Sequence, residues 1–213
     1  MSEPVGVDFG SVDALPLPLE LDVLLQSLRP ARRVHTPSRP DSLAQLYHRH
    51  EREQVQQTVG FALPRLSVLV DAGQVELVAT AGRGELSAPA ELGRWENASV
   101  TVLYVVDEAV LHLPGGRKHA PGVTTMDVLY GHGWPSQPAE APRTTRSSAS
   151  GDATTVLVHG AQVGVQHREH RLTRLAWRQR LGQVECGVVV HSPLKPLQAV
   201  QMLVQCDVLA GSA

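Results

Sequence analysis

The sequence predicts a mainly β protein with a few helices, of the α+β class, and three observations carry that expectation. Short apolar runs rich in β-branched residues, 99–106 and 125–130 foremost, recur between turns marked by Gly, Pro and Asp. Aromatic residues make up only 4% of the 213-residue chain, so the core has to be built from Val, Leu and Ala, which favours strands over large aromatic-rich helices. Helical spacing dominates before residue 60 and, apart from the 171–180 stretch, gives way to the strand period after it.

In chain order, residues 1–40 hold Pro4, Pro16, Pro18, Pro30, Pro37 and Pro40 and read as a Pro-rich N-terminal arm. Arg29, Arg32, Arg33 and Arg39 make the arm locally basic, and 20–28 has the spacing of a short helix. A single domain is expected over 41–209. It opens with a helix over 41–59, capped by Asp41 or Ser42, striped by Leu43, Leu46, Tyr47, His50 and Val55, and ended by Gly60 and Pro64. Two runs, 66–70 and 75–79, flank Asp71-Ala72-Gly73-Gln74 and predict a hairpin. Strands follow at 99–106, 109–113 and 125–130, with a basic turn, Gly115-Gly116-Arg117-Lys118-His119, before the third. Residues 136–152, rich in Pro, Ser, Thr and Ala, predict a flexible insert. Strands at 154–159 and 162–166 join at Gly160. The C-terminal stretch reads as an amphipathic helix over 171–180, a strand over 184–190, a turn at Ser192-Pro193-Leu194-Lys195-Pro196 and a closing strand over 197–206.

Charge narrows the partners. The net charge of −2 argues against whole-surface nucleic-acid binding, but it is unevenly spread. Residues 1–100 carry 9 basic and 13 acidic residues, and residues 101–213 carry 10 and 8, so an anionic partner should meet the C-terminal half. There Arg168, Arg171, Arg174, Arg178 and Arg180 face the single acid Glu169. On a helix Arg171, Arg174 and Arg178 share a face, and Trp177 is placed to stack on a base or to sit half buried at an interface.

Other chemistry is weaker. His48-x-His50 and His167-x-x-His170 lack the paired cysteines of a structural zinc site, and no metal or cofactor is expected. Ser, His and Asp occur without a G-x-S-x-G elbow, and neither Gly82-Arg83-Gly84 nor Gly115-Gly116 forms a phosphate loop. A non-catalytic role is therefore expected over a small β-rich enzyme. Cys186 and Cys206, on the two predicted C-terminal strands, read as buried reduced thiols. The start, with Glu3 and Asp8, resembles no targeting segment, and no run approaches the ~18 apolar residues of a membrane helix, so an intracellular protein without a membrane partner is expected.

The runs Thr101-Val102-Leu103-Tyr104-Val105-Val106, Met126-Asp127-Val128, 181–190 and 197–202 together resemble an OB-fold, a five-stranded Greek-key barrel, here with an N-terminal helix and an extra hairpin. With the helix around Leu43, Leu46 and Tyr47, the pattern resembles the Stn subunits of CST telomere complexes, relatives of the middle subunit of replication protein A. The resemblance covers about half the chain and leaves open whether 66–79 or 99–113 opens the barrel. It implies a nuclear subunit of a genome-maintenance complex that binds single-stranded DNA, or RNA, together with partner subunits. The site it points to is Arg117, Lys118, Arg168, Arg171, Arg174, Trp177 and Arg178. A scaffold that binds protein alone is the alternative.

Overall fold

A computed structural model describes residues 47–81, 86–94, 96–107, 122–131, 153–168 and 172–209; of Tyr47, Ala81, Ala153, Arg168 and Asp207 it describes the backbone only. The expected arm 1–40, the start of the expected helix, the strand 109–113, the turn with Arg117 and Lys118, Trp134, Arg171 and the insert 136–152 lie outside those residues. The described elements are β1 (Tyr47–His50), α1 (Arg52–Val59), α2 (Ser67–Asp71), β2 (Val75–Ala81), β3 (Asn97–Val105), β4 (Val123–Gly131), β5 (Ala153–Val158), β6 (Ala161–Arg168), β7 (Leu172–Leu181), β8 (Val184–Ser192) and α3 (Pro196–Gln205).

All eight strands form one antiparallel sheet in the order β1-β2-β3-β4-β8-β7-β6-β5. Each half is a four-stranded meander, and the two halves meet at their last strands, where Val128 lies opposite Val188 and Met126 opposite Val190. The topology thus has a pseudo-twofold axis normal to the sheet between β4 and β8, with β1 and β5 as equivalent outer edges. The protein is mainly β with three α-helices among the described residues, but it is not an OB barrel. A barrel needs its first and last strands to pair; here β1 and β5 stand at opposite edges of an open sheet.

Three local corrections explain why the barrel does not close. The expected closing strand is α3: Pro196 takes the first helical position, and Gln198 Oε1 accepts the Lys195 N–H at 3.2 Å. Ala199, Val200, Met202, Leu203 and the following Cys206 are all fully buried, at the spacing of a helical stripe rather than a strand. The expected helix over 171–180 is β7 from Leu172 onward, where Thr173, Leu175, Trp177, Gln179 and Leu181 are buried at every second position. The expected strand over 66–70 is α2, so β2 pairs with β1 and β3 instead of forming a hairpin with it. In addition, the expected helix over 41–59 is divided, with β1 over its middle and α1 after Glu51; Gly60, at φ 76°, ends α1 as expected. Apart from 109–113, the remaining expected strands lie within β2, β4, β6 and β8 or run one residue past the ends of β3 and β5.

The helices and the 60–66 segment cover one face of the sheet. Val100, Val102, Tyr104, Met126, Val128, Tyr130, Leu175, Trp177, Cys186, Val188 and Val190 pack there against Val55, Val59, Leu66, Leu69 and the buried face of α3. Polar pegs fix the cover in place. The Leu66 N–H donates to the Tyr104 hydroxyl at 2.8 Å, and Phe61 meets Tyr130 edge-on at 5.6 Å. Arg52 pairs with Glu76 at 2.9 Å and donates to the Pro64 carbonyl at 3.1 Å, tying α1 to β2. At the other end Thr173 donates to the Leu194 carbonyl at 2.6 Å, and Thr124 and Ser192 hydroxyls meet at 3.1 Å, which holds the turn into α3.

Both cysteines are free and buried, as expected. Burial pushes the Cys186 thiol and the Tyr130 hydroxyl each up to about 12, and raises Cys206 and Tyr104 as well. The unfolded chain ionises its thiols and phenols near their ordinary values of 9.0 and 10.0. The folded protein therefore keeps protons that the unfolded chain releases, so this stability is complete below pH 9 and is lost as the pH rises toward 12. The urea midpoint is expected to fall steadily from about pH 9 to about pH 11, with a shallower fall in Cys186→Ala.

Candidate binding face

The second face of the sheet divides into two regions. Over β2, β3 and β4 it is a buried apolar patch of Ala79, Leu103, Val105 and Val123, with Leu77 beside it. Over β8, β7, β6 and β5 it mixes polar residues with small and apolar ones, and apart from the buried Gly187 the residues described there are half-buried to exposed. The strand period puts Arg174, Ala176, Arg178 and Arg180 of β7 on this face, opposite Leu175 and Trp177.

Register arranges these residues into rows that cross the strands. One row runs Gln166, Arg174, His191, Thr125. The next runs Thr155, Gly164, Ala176, Val189, Asp127 and Thr101. The third places Arg178 beside Gly187, and Arg180 pairs in register with Glu185. The middle row is small at Gly164 and Ala176, so it forms the floor of a shallow trough with Arg174 on one wall and Arg178 on the other. The two arginines are four strand residues apart, about 13 Å. The trough opens toward β5, where Thr155 is exposed, and ends inward at Asp127, whose carboxylate accepts the Thr101 hydroxyl at 2.6 Å. A Cβ added at Gly164 would meet only the Ala176 carbonyl, at 3.6 Å, so the floor is unfilled at that point.

The expected site residues separate accordingly. Arg174 and Arg178 come together on this face, because an even separation in a strand keeps a common side just as a helical turn would have. Arg168 ends β6, with only its backbone described. Trp177 is removed from the site: it is 3% exposed on the core face, and its indole N–H donates to Gln179 Oε1 at 3.1 Å. Gln179 in turn donates to the Val208 carbonyl at 2.6 Å. Phe61, Tyr104 and Tyr130 are buried too, so no aromatic side chain described here is free to stack on a base. Gln166, Gly164, Ala176 and His191 were not singled out by sequence reasoning. For Gln166 and Gly164 the signal was the period-2 pattern of the 162–166 run; Ala176 and His191 join them through the register of β7 with β6 and β8.

His48 and His50 share one face of β1, since residues two apart in a strand point the same way. His50 Nε2 is bonded to the Thr80 hydroxyl at 2.9 Å. Among the described residues no three His, Cys, Asp or Glu side chains are grouped to hold a metal, and no helix is long and apolar enough to cross a membrane. No protein-family model, curated protein or solved structure matches the chain.

Proposed function

We propose that the chain is a non-catalytic subunit whose polar sheet face docks an extended acidic segment of a partner protein. The observation that carries this reading is the trough itself, a small-residue floor at Gly164 and Ala176 between Arg174 and Arg178. An extended chain laid across the strands would meet a guanidinium on either side, and Arg suits carboxylates because its planar fork binds them bidentately. Gln166 and His191 add hydrogen-bonding groups along one wall. Single-stranded DNA or RNA, in a nuclear genome-maintenance assembly, is the second reading. It is favoured by the same Arg174–Arg178 line, which also suits phosphates, but among the described residues no aromatic side chain is exposed to stack on a base, Trp177 being in the core.

Fluorescence titrations with an oligoglutamate peptide and with oligo-dT and oligo-U, at about 50 and about 200 mM salt, test both readings. The expected result is salt-dependent peptide binding that falls at least tenfold in Gly164→Leu, whose side chain would occupy the floor, and in the double variant Arg174→Glu, Arg178→Glu. Oligonucleotide binding with a steep salt slope, flattened by the arginine reversals, supports the second reading instead. No binding of any probe overturns both.

A further inference from the structure

The two outer strands are equivalent by the pseudo-twofold topology, yet they are chemically opposite. β1 is Tyr47-His48-Arg49-His50, an edge with a charge and two histidines. Such edges are guarded, because charged side chains discourage pairing with another sheet. β5 is Ala153-Thr154-Thr155-Val156-Leu157-Val158. It has no charge, no Pro and no Gly, and its β-branched residues favour an extended chain. On its outward-leaning side Leu157 is 55% exposed, the most exposed large hydrophobic residue among those described.

The hairpin to β6 fixes which backbone groups of β5 have no partner among the described residues. Its two-residue turn is His159-Gly160, both at positive φ (48° and 82°), and the closing pair is Val158 with Ala161. Positive φ at both central residues is the signature of a type I′ turn, whose closing pair is hydrogen-bonded. Alternation then directs Val158, Val156 and Thr154 to β6, and leaves the N–H and C=O groups of Leu157 and Thr155 pointing away from the sheet.

We propose that β5 pairs antiparallel with β5 of a second copy, so that two sheets join into one across a two-fold axis. Three observations select a second copy as the occupant. The segment is uncharged, so placing it beside itself brings no like charges together. A two-fold normal to the sheet, at Thr155 or Val156, pairs residues of like parity, so the helix-covered faces stay on one side and the polar faces on the other. The guarded β1 edge blocks the head-to-tail alternative of β5 on β1, so the assembly closes at two copies rather than growing into a fibre. The contact is small, about 20 Å of edge, which corresponds to a dimer of micromolar affinity rather than an obligate one. Pairing would place the two polar faces side by side, with the two Arg174 residues about 24 Å apart across the strands and about 14–20 Å apart along them, because Arg174 lies in register with Ala153.

Sedimentation velocity of the full chain, from about 1 to about 100 µM, tests this. The expected result is a monomer–dimer equilibrium with a micromolar midpoint. Leu157→Lys should raise the dissociation constant at least tenfold. Thr155→Pro, which removes an outward N–H and none directed to β6, should give a monomer with an unchanged far-ultraviolet spectrum. Gly164→Leu, which alters the trough, should leave the dimer intact, so that loss of pairing and loss of partner binding are told apart. A monomer throughout the concentration range overturns the proposal. So does a dimer unaffected by Leu157→Lys.

Discussion

Val188→Asp is expected to leave no folded protein at neutral pH, whereas Gln183→Glu should change stability by less than about 1 kcal/mol. Val188 is fully buried at the middle of β8, in register with Val128 on one side and Trp177 on the other. It therefore sits where the two meanders meet, and its side chain packs into the apolar layer that serves both. Among the described residues a carboxylate there is surrounded by apolar side chains, and burying one uncompensated costs several kcal/mol, comparable with the whole stability of a domain this size. Gln183 is exposed in the turn between β7 and β8, where Arg180 donates to its Oε1 at 3.2 Å. A glutamate keeps that contact and adds an exposed ion pair worth little. Circular dichroism and urea melts separate the outcomes. A graded variant, Val188→Ala, should remain folded and lose about 2–3 kcal/mol. Two equally stable variants at 183 and 188 would show that β8 does not cross the centre of the core.

Trp177→Ala carries the second large effect, a loss of about 3–5 kcal/mol with little change in the denaturant slope. The indole is 3% exposed and fills the core layer between β6 and β8, and its N–H bonds to Gln179. Truncation leaves a cavity and removes one bond of the chain Trp177–Gln179–Val208, which fastens the C-terminal turn to β7. Trp177→Phe should cost less, about 1–2 kcal/mol, because the ring volume is mostly kept while the Gln179 oxygen loses its donor. The measurement also tests the role of Trp177 in binding. A base-stacking tryptophan would lower ligand affinity and leave the urea midpoint in place; a core tryptophan does the reverse.

The strands β3, β4, β5, β6 and β8 were legible because their residue types and their surroundings agree. In β8, Cys186, Val188 and Val190 alternate with Glu185 and Val189, and the first set is fully buried, as the alternation required. The buried thiols and the Gly60 helix end were equally local facts. The signals for the two C-terminal errors were present but ambiguous. Leu172, Leu175 and Ala176 fit a helical stripe, and Leu, Arg, Gln and Ala are good helix formers. The period-2 set Thr173, Leu175, Trp177, Gln179, Leu181 was masked because two of its members are polar; they are buried only because Leu194 and Val208 offer carbonyls to them. Over 197–206 the mixture of Gln with apolar residues fits either period, and Pro196 at a helix start was read as part of a turn.

What the sequence determined by itself, then, is the class of the fold, most of its strands and the extra basic charge of its second half, because residue type and local period decide these. What only the tertiary structure decided is that the sheet is open, that β7 is a strand, that α3 covers the core and that Trp177 is inside it. Each of those depends on partners distant in sequence: β8 lies between β4 and β7, and the apolar side of 197–206 is buried against β5, β6 and β7. Helix and strand propensities differ by less than about 1 kcal/mol per residue, and fully burying one leucine or valine contributes about 1.5–3 kcal/mol, so packing overrode the local preference wherever the two disagreed.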